Sequence, residues 1–241
     1  MPEWLIPDWP APANVHALVK TRTGGVSRPP WDSFNLGDHV DDHPADVAEN
    51  RRRLRLHLPA DPVWLKQVHG TTCVDAATVP NGTAADAAFA RQPDTVCAIL
   101  TADCLPILLC DETGSVVAAA HAGWRGLAAG IIEATIAGMQ VPGQRLIAWL
   151  GPAIGPQHFE VGNEVREAFM AHDRRAADAF IAGAENKWLC DIYLLARQRL
   201  EGLGLCRITS VDFCTVTDNT RFYSYRRDGV TGRMASLIWR T

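Results

Sequence analysis

His69, Cys104 and His121 are the residues of this chain whose types and settings can do chemistry. Each lies in a segment unlike ordinary core: Lys66-Gln67-Val68-His69-Gly70, Thr101-Ala102-Asp103-Cys104 and His121-Ala122-Gly123-Trp124-Arg125-Gly126. Two imidazoles and a thiolate form a ligand set for Zn²⁺ that leaves a fourth, tetrahedral position for water or substrate. A two-His, one-Cys set also suits copper. The separations, 35 residues from His69 to Cys104 and 17 from Cys104 to His121, match no short zinc-finger pattern. They suit ligands gathered from different strands into a reactive site.

Each residue also has a plainer reading. A cysteine beside Leu105-Pro106-Ile107-Leu108-Leu109 is ordinarily a core thiol, and a single histidine is ordinarily a surface or satisfied core residue. Cys104 stands apart because Asp103 precedes it at a strand start, where an acid is costly to bury without a partner. Asp103 is the candidate proton carrier. Cysteines 73, 97, 110, 190, 206 and 214 have no such setting and read as core or incidental. After His121 the glycines permit a tight strand-to-helix turn and close approach of a ligand to backbone. A helix starting near Gly126 would turn free N–H groups toward an anion, and Arg125 adds a planar fork suited to phosphate or carboxylate. The competing reading is a glycine-rich turn with Trp124 packed on the core.

These segments need elements to hold them. Val15 to Thr21 reads as a strand, and Thr23-Gly24-Gly25-Val26 opens a long loop that runs through Asn35, Leu36 and Gly37. A loop of that length in a compact domain is more often functional than idle. Val47, Leu54 and Leu58 keep helical spacing over Pro44 to Leu58. Short β-rich runs follow at Val63 to Val68, Val96 to Leu100, Ile107 to Cys110 and Val116 to Ala120, with Asp111-Glu112-Thr113-Gly114 turning the last two into a hairpin. Leu127 to Met139 reads as a helix, Leu146 to Leu150 as a strand and Val161 to Ala171 as a helix. Asp191 is the expected N-cap of a helix from Ile192 to Leu203. Ile208 to Phe213 and Ala235 to Trp239 are the last strands. Strands come in clusters, so mixed sheets with helices packed outside are expected.

Composition narrows the partners. The 241 residues are 47% hydrophobic and 21% charged, an ordinary globular balance, with no low-complexity run. A net charge of −4 argues against binding nucleic acid or anionic membranes. Met1 to Pro10 carries early acids and prolines and reads as no signal peptide, and the apolar runs are too short to span a bilayer. Seven scattered cysteines without a C-x-x-C pair read as reduced thiols of a cytoplasmic protein.

Several strings then point in one direction. Thr101-Ala102-Asp103-Cys104-Leu105-Pro106, Ala118 to Gly126, Trp149-Leu150-Gly151-Pro152-Ala153-Ile154-Gly155-Pro156, Phe222 to Asp228 and Thr231-Gly232-Arg233-Met234-Ala235-Ser236 closely resemble the YfiH family. This family is also called the laccase-domain or purine nucleoside phosphorylase family, and its bacterial members include the peptidoglycan editing factor. The likeness runs in order from about Trp9 to Trp239. It implies an α+β fold, a single-domain layered αββα sandwich over residues 1–241, with mixed β-sheets. It also implies a zinc held by residues matching His69, Cys104 and His121, and places Arg22, Asn35 and Arg125 near the pocket. The fold is similar to that of deamidating cysteine hydrolases.

Three activities follow as expectations from the resemblance. The first is zinc-dependent purine nucleoside phosphorolysis of adenosine, inosine, guanosine or methylthioadenosine, with adenosine deamination as a side activity. The H-x-E and P-C-x-x-C signature of well-known zinc deaminases is absent, so deamination here would be built differently. The second is a hydrolase that removes a wrong amino acid from a muramyl nucleotide, with Cys104 as nucleophile and His121 as base. The third is copper-dependent oxidation of polyphenols. Eight histidines with no H-x-H pair are a poor match to the trinuclear cluster of a full laccase. The expected partners are small molecules, either a purine nucleoside with phosphate or a muramyl nucleotide.

Overall fold

Val96–Thr101, Leu105–Asp111 and Val117–Ala122 are buried at every position, the signature of strands covered on both faces. The computed structural model describes residues 4–241. Met1 to Glu3, part of the segment read above as no signal peptide, lie outside the described residues. One sheet runs Trp4–Leu5, Val15–Lys20, Met234–Arg240, Val96–Thr101, Pro62–Val63, parallel only at its last pair. A second runs Arg207–Ser210, Leu146–Leu150, Leu105–Asp111, Val117–Ala122, Ala87–Ala90, Cys73–Asp75, with antiparallel centre and a parallel pair at each edge. A small third sheet joins Glu160–Gly162, Lys187–Cys190 and Phe180–Ala182.

Alternating side chains weld these sheets into layers. Cys97, Ile99 and Ile238 of the first sheet meet Leu108, Cys110, Val117 and Trp149 of the second in one buried seam. From the same strands Val96, Ala98, Leu100 and Leu237 point the other way, against Leu54 of the helix Pro44–Arg55 and against Phe34 and Leu36. Leu105, Ile107, Leu109, Ala118 and Ala120 turn outward from the second sheet. They meet Ile131 and Ile132 of Ile131–Met139, Val165 and Phe169 of Asn163–Met170, and Ile192 and Leu195 of Ile192–Gly202. Helix, sheet, sheet, helix is the expected αββα order in an α+β domain.

The expected hairpin is present, with Leu108 opposite Ala119. Asp191 caps its helix by accepting the Leu194 N–H at 3.0 Å. Several elements differ from expectation, among them the strand read over Ile208 to Phe213, which is Arg207–Ser210. The helix read over Leu127 to Met139 is two, Trp124–Ala129 and Ile131–Met139, broken at Gly130 with φ +106°. The helix read from Val161 begins only at Asn163, because Glu160–Gly162 pairs with Lys187–Cys190. The strand read over Val63 to Val68 is regular only at Pro62–Val63. Beyond it the Gln67 side chain takes the role of a strand neighbour: its amide donates to the Leu100 carbonyl at 2.8 Å and accepts the Leu100 N–H at 2.7 Å. The chain is thereby freed to leave the sheet as the loop that carries His69. All seven cysteines are free. No helix among the described residues is long and apolar enough to cross a membrane.

Candidate metal centre and its cavity

Register brings two candidate ligands together before any side chain is considered. Pro106 lies opposite His121 in the hairpin, so Cys104, just before one strand, and His121, near the end of its partner, reach the same end of the sheet. His69 arrives from the loop released at Gln67, and a single buried carboxylate fixes it there. Asp86 precedes Ala87–Ala90 and is fully buried. It accepts the backbone N–H groups of Val68 at 3.1 Å, His69 at 2.9 Å and Gly70 at 2.7 Å. The same carboxylate bonds His121 Nδ1 at 2.8 Å, which turns the other ring nitrogen toward Cys104. A carboxylate behind a ligating imidazole orients the ring and raises its basicity.

The three donor atoms lie within 4.8 Å of one another, and Cys104 Sγ is 3.9 Å from His69 Nε2. Tetrahedral zinc sets a sulfur and a nitrogen ligand about 3.6 Å apart, so a small contraction closes the site around an ion. One sulfur and two imidazole nitrogens suit zinc or copper and not magnesium or calcium. Gly123 leaves the necessary room. A Cβ there would fall 2.9 Å from His69 Cδ2 and 3.0 Å from Cys104 Sγ.

Charge is arranged to keep the sulfur anionic. Burial opposes ionisation of Cys104, but the His121 charge and hydrogen bonds from both imidazoles outweigh it and bring the thiol down to about 6. Burial likewise opposes charge on His121, and the Cys104 thiolate and the Asp86 carboxylate overcome it, raising the ring to about 9. Both shifts favour a thiolate paired with an imidazolium when no metal is bound. Asp86 follows the same pattern: burial would raise it, while His121 and the N–H groups of Gly70 and Val68 hold it below its ordinary range.

These residues face a cavity of about 350 Å³. His69, Asp103, Cys104 and His121 all line it. Leu100, Trp124, Ile154, Phe159 and Ile192 give it apolar lining, and Tyr225, Arg226 and Arg233 line it too. Asp103 has backbone φ +85°, and its carboxylate accepts Thr215 Oγ1 at 2.5 Å, Ser224 Oγ at 3.0 Å and the Arg226 N–H at 2.6 Å. It ties the C-terminal loops to the ligand strand.

Arg22, Asn35 and Arg125 do not line the cavity. Arg22 bonds the Asp32 carbonyl and carboxylate and lies over the Tyr223 ring. Asn35 is wholly buried, donating to the Gly37 carbonyl and Asp42 and accepting the N–H groups of Gly37 and Arg233. Arg125 is exposed, its guanidinium stacked 4.4 Å from the Trp124 ring. The sequence reading missed Asp86, whose only signal is one acid inside Ala84-Ala85-Asp86-Ala87-Ala88. It also passed over Arg226 and Arg233, which lie inside strings quoted for the resemblance. Among the described residues no second cluster of three metal-binding side chains occurs.

Residues 16–241 match the family model described as multi-copper polyphenol oxidoreductase laccase. The chain is similar to a purine nucleoside phosphorylase of Pseudomonas aeruginosa, 56% identical over 240 residues and 99% of each chain. It is 54% identical over 242 residues to the purine nucleoside phosphorylase YfiH of Escherichia coli, again across 99% of each. Among solved structures it resembles a Neisseria meningitidis protein of family DUF152, with TM-score 0.96 and 48% identity over 99% of both chains. Bacillus licheniformis YfiH matches with TM-score 0.88 and 30% identity over 94% of this chain and 93% of that one.

Proposed function

Because the chain belongs to the YfiH, or laccase-domain, family, we propose that it is a zinc-dependent purine nucleoside phosphorylase with adenosine deamination as a side reaction. Relatives named purine nucleoside phosphorylase match it end to end. The observation that carries the reading is the His69, Cys104 and His121 cluster on the wall of a cavity of small-molecule size, faced by apolar and aromatic side chains and two arginines.

In phosphorolysis an oxygen of phosphate bonds to the ribose C1′ while the bond from C1′ to the purine nitrogen breaks. The purine leaves with the bonding electrons and takes up a proton. His69, Cys104 and His121 would hold the zinc, which when bound supplies a Lewis acid for developing negative charge. Asp86 holds the His121 ring and the His69 loop in place for that task. Trp124, Phe159 and Tyr225 offer faces for the purine, and the apolar walls keep water from competing with phosphate for C1′. We read copper as an adventitious occupant, since a multicopper oxidase needs more ligands than this one cluster provides. We place the reaction in the cytoplasm, where thiols stay reduced.

One observation favours a second reading, amide hydrolysis on a muramyl nucleotide. Cys104, His121 and Asp86 form a chain of nucleophile, base and orienting carboxylate. Metal-free protein would attack the acyl carbon with Cys104 Sγ, pass a proton from His121 to the departing amine, and release the acyl group to water. The two readings separate cleanly when adenosine or inosine is incubated with and without phosphate, and a muramyl nucleotide is tested in parallel, with products read by mass spectrometry. Ribose 1-phosphate and free base that require phosphate, and that vanish on chelation, support the phosphorylase. Free amino acid released from the muramyl nucleotide far more efficiently than any nucleoside is turned over would replace it with the hydrolase.

A further inference from the structure

Thr231-Gly232-Arg233 is a string that the metal chemistry leaves unexplained. Arg233 precedes Met234, whose strand partner is Thr101, so the register of the first sheet places it beside the segment that leads to Cys104. Its position is fixed from several directions. The backbone N–H donates to Asn35 Oδ1 at 2.8 Å, and the carbonyl accepts the Leu36 N–H at 3.1 Å. Nη1 donates to the carbonyls of Thr231 at 2.9 Å and Gly232 at 3.0 Å. The stem lies against Gly37, where a Cβ would come within 2.8 Å of Arg233 Cγ.

This anchoring uses only Nη1. Among the described residues Nε and Nη2 have no hydrogen-bond partner and no carboxylate pairs with Arg233. Asp103, which lines the same cavity, is already taken up by three donors. Arg226 lines the same cavity. Its Nη1 donates to the carbonyls of His158 and Glu160, and it too lacks a carboxylate partner among the described residues. Two guanidinium groups, each held at Nη1 by backbone carbonyls and neither paired with a carboxylate, line one cavity, and a guanidinium fork matches the geometry of an oxyanion.

We propose that Arg233, with Arg226, is the anion-binding element of this cavity and takes the phosphate of phosphorolysis. The identity of the anion rests on the phosphorylase reading, and the presence of an oxyanion site does not. Arg125 lies outside the cavity and has its guanidinium face on Trp124. Asn35 becomes a positioning residue: it bonds the backbone N–H of Arg233 and acts through that side chain.

The test is calorimetric titration of inorganic phosphate into zinc-loaded wild-type protein and into Arg233→Lys, Arg233→Gln and Arg125→Gln. Melting temperature and zinc content are checked for each. Phosphate should bind the wild type, weaken at least tenfold in Arg233→Lys, which keeps the charge and loses the fork, and vanish in Arg233→Gln. In turnover assays the phosphate KM should rise at least tenfold in Arg233→Lys while the nucleoside KM holds. Equal phosphate binding in wild type and Arg233→Gln, no phosphate binding by the wild type, or loss of binding in Arg125→Gln alone would each overturn the proposal. Phosphate bound through Arg233 in a protein that cleaves no nucleoside would instead overturn the phosphorylase reading and leave the anion site standing. If Arg233→Gln fails to fold, Arg233→Lys alone decides, since unaltered phosphate affinity there contradicts a site built on the fork.

Discussion

At the scale of residues, the site is a set of mutually supporting charges around one buried carboxylate. His69, Cys104 and His121 were legible in the sequence because each is framed by neighbours that an ordinary core would not need. Asp86 was not, since a single acid among alanines carries no spacing signal, and only the fold shows that it serves two ligands at once. Its removal should be felt at the metal. Asp86→Asn loses the charge behind His121, and zinc affinity should fall about 10- to 100-fold in competition with a chromophoric chelator. Unchanged affinity would leave the carboxylate only a structural part. Asp86 also has a pH consequence. Its folded pKa lies below the ordinary carboxylate value of 3.8, so the stability it contributes is present above that value and is lost as pH falls through the depressed one.

The thiol gives a second pH prediction, for metal-free protein. Cys104 is lowered from 9.0 to about 6, so its thiolate contribution is lost as pH falls through about 6. His121 is raised from 6.5 to about 9, so its contribution is lost as pH rises through about 9. Site-resolved iodoacetamide labelling should show Cys104 reacting at pH 7 far faster than the exposed Cys206. Labelling of Cys104 that rises only near pH 9 would contradict the thiolate–imidazolium pair.

At the scale of elements, positions are set by where regular structure stops. Beyond the strand Pro62–Val63, Gln67 bonds Leu100 through its side chain in place of a strand backbone, and Gly130 divides what periodicity alone reads as one helix. Periodicity could not reveal either, because the apolar positions continue across both breaks. The alanine-rich strand Ala87–Ala90 was also missed, since alanine has low strand propensity and burial recruits it, and the three half-buried residues Cys73–Asp75 are too few to carry a pattern. The expected tight turn after His121 is present, and Gly123 meets its requirement for close approach: the space a Cβ would occupy belongs to His69 and Cys104. Gly123→Ala should therefore lower zinc affinity at least tenfold while circular dichroism stays that of the wild type. Full zinc affinity in a folded Gly123→Ala protein would mean that the ligands do not close as tightly as the geometry requires.

At the scale of the whole molecule, the layered α+β arrangement explains why the cavity and the His69, Cys104 and His121 cluster lie at strand ends and loops. Two sheets share a seam, and each hides its other face under helices or the loop at Phe34 and Leu36, so only strand ends and loops remain to form a cavity. Apolar runs at Val96 to Leu100 and Ile107 to Cys110 made the buried strands readable, while the αββα layering was an expectation from the family resemblance. The strand order, with parallel pairs at both edges of the second sheet, was not readable, because those partners are distant or too weakly patterned. The central claim is that the cavity at the His69, Cys104 and His121 cluster cleaves purine nucleosides with phosphate. The most direct measurement is phosphorus NMR of inosine and phosphate with zinc-loaded wild type and with Cys104→Ala. Wild type should convert phosphate to ribose 1-phosphate with an equal amount of hypoxanthine, and Cys104→Ala, depleted of zinc, should form less than a hundredth as much. Ribose 1-phosphate formed equally by both proteins, or hypoxanthine released by the wild type without phosphate at the same rate, would contradict the account.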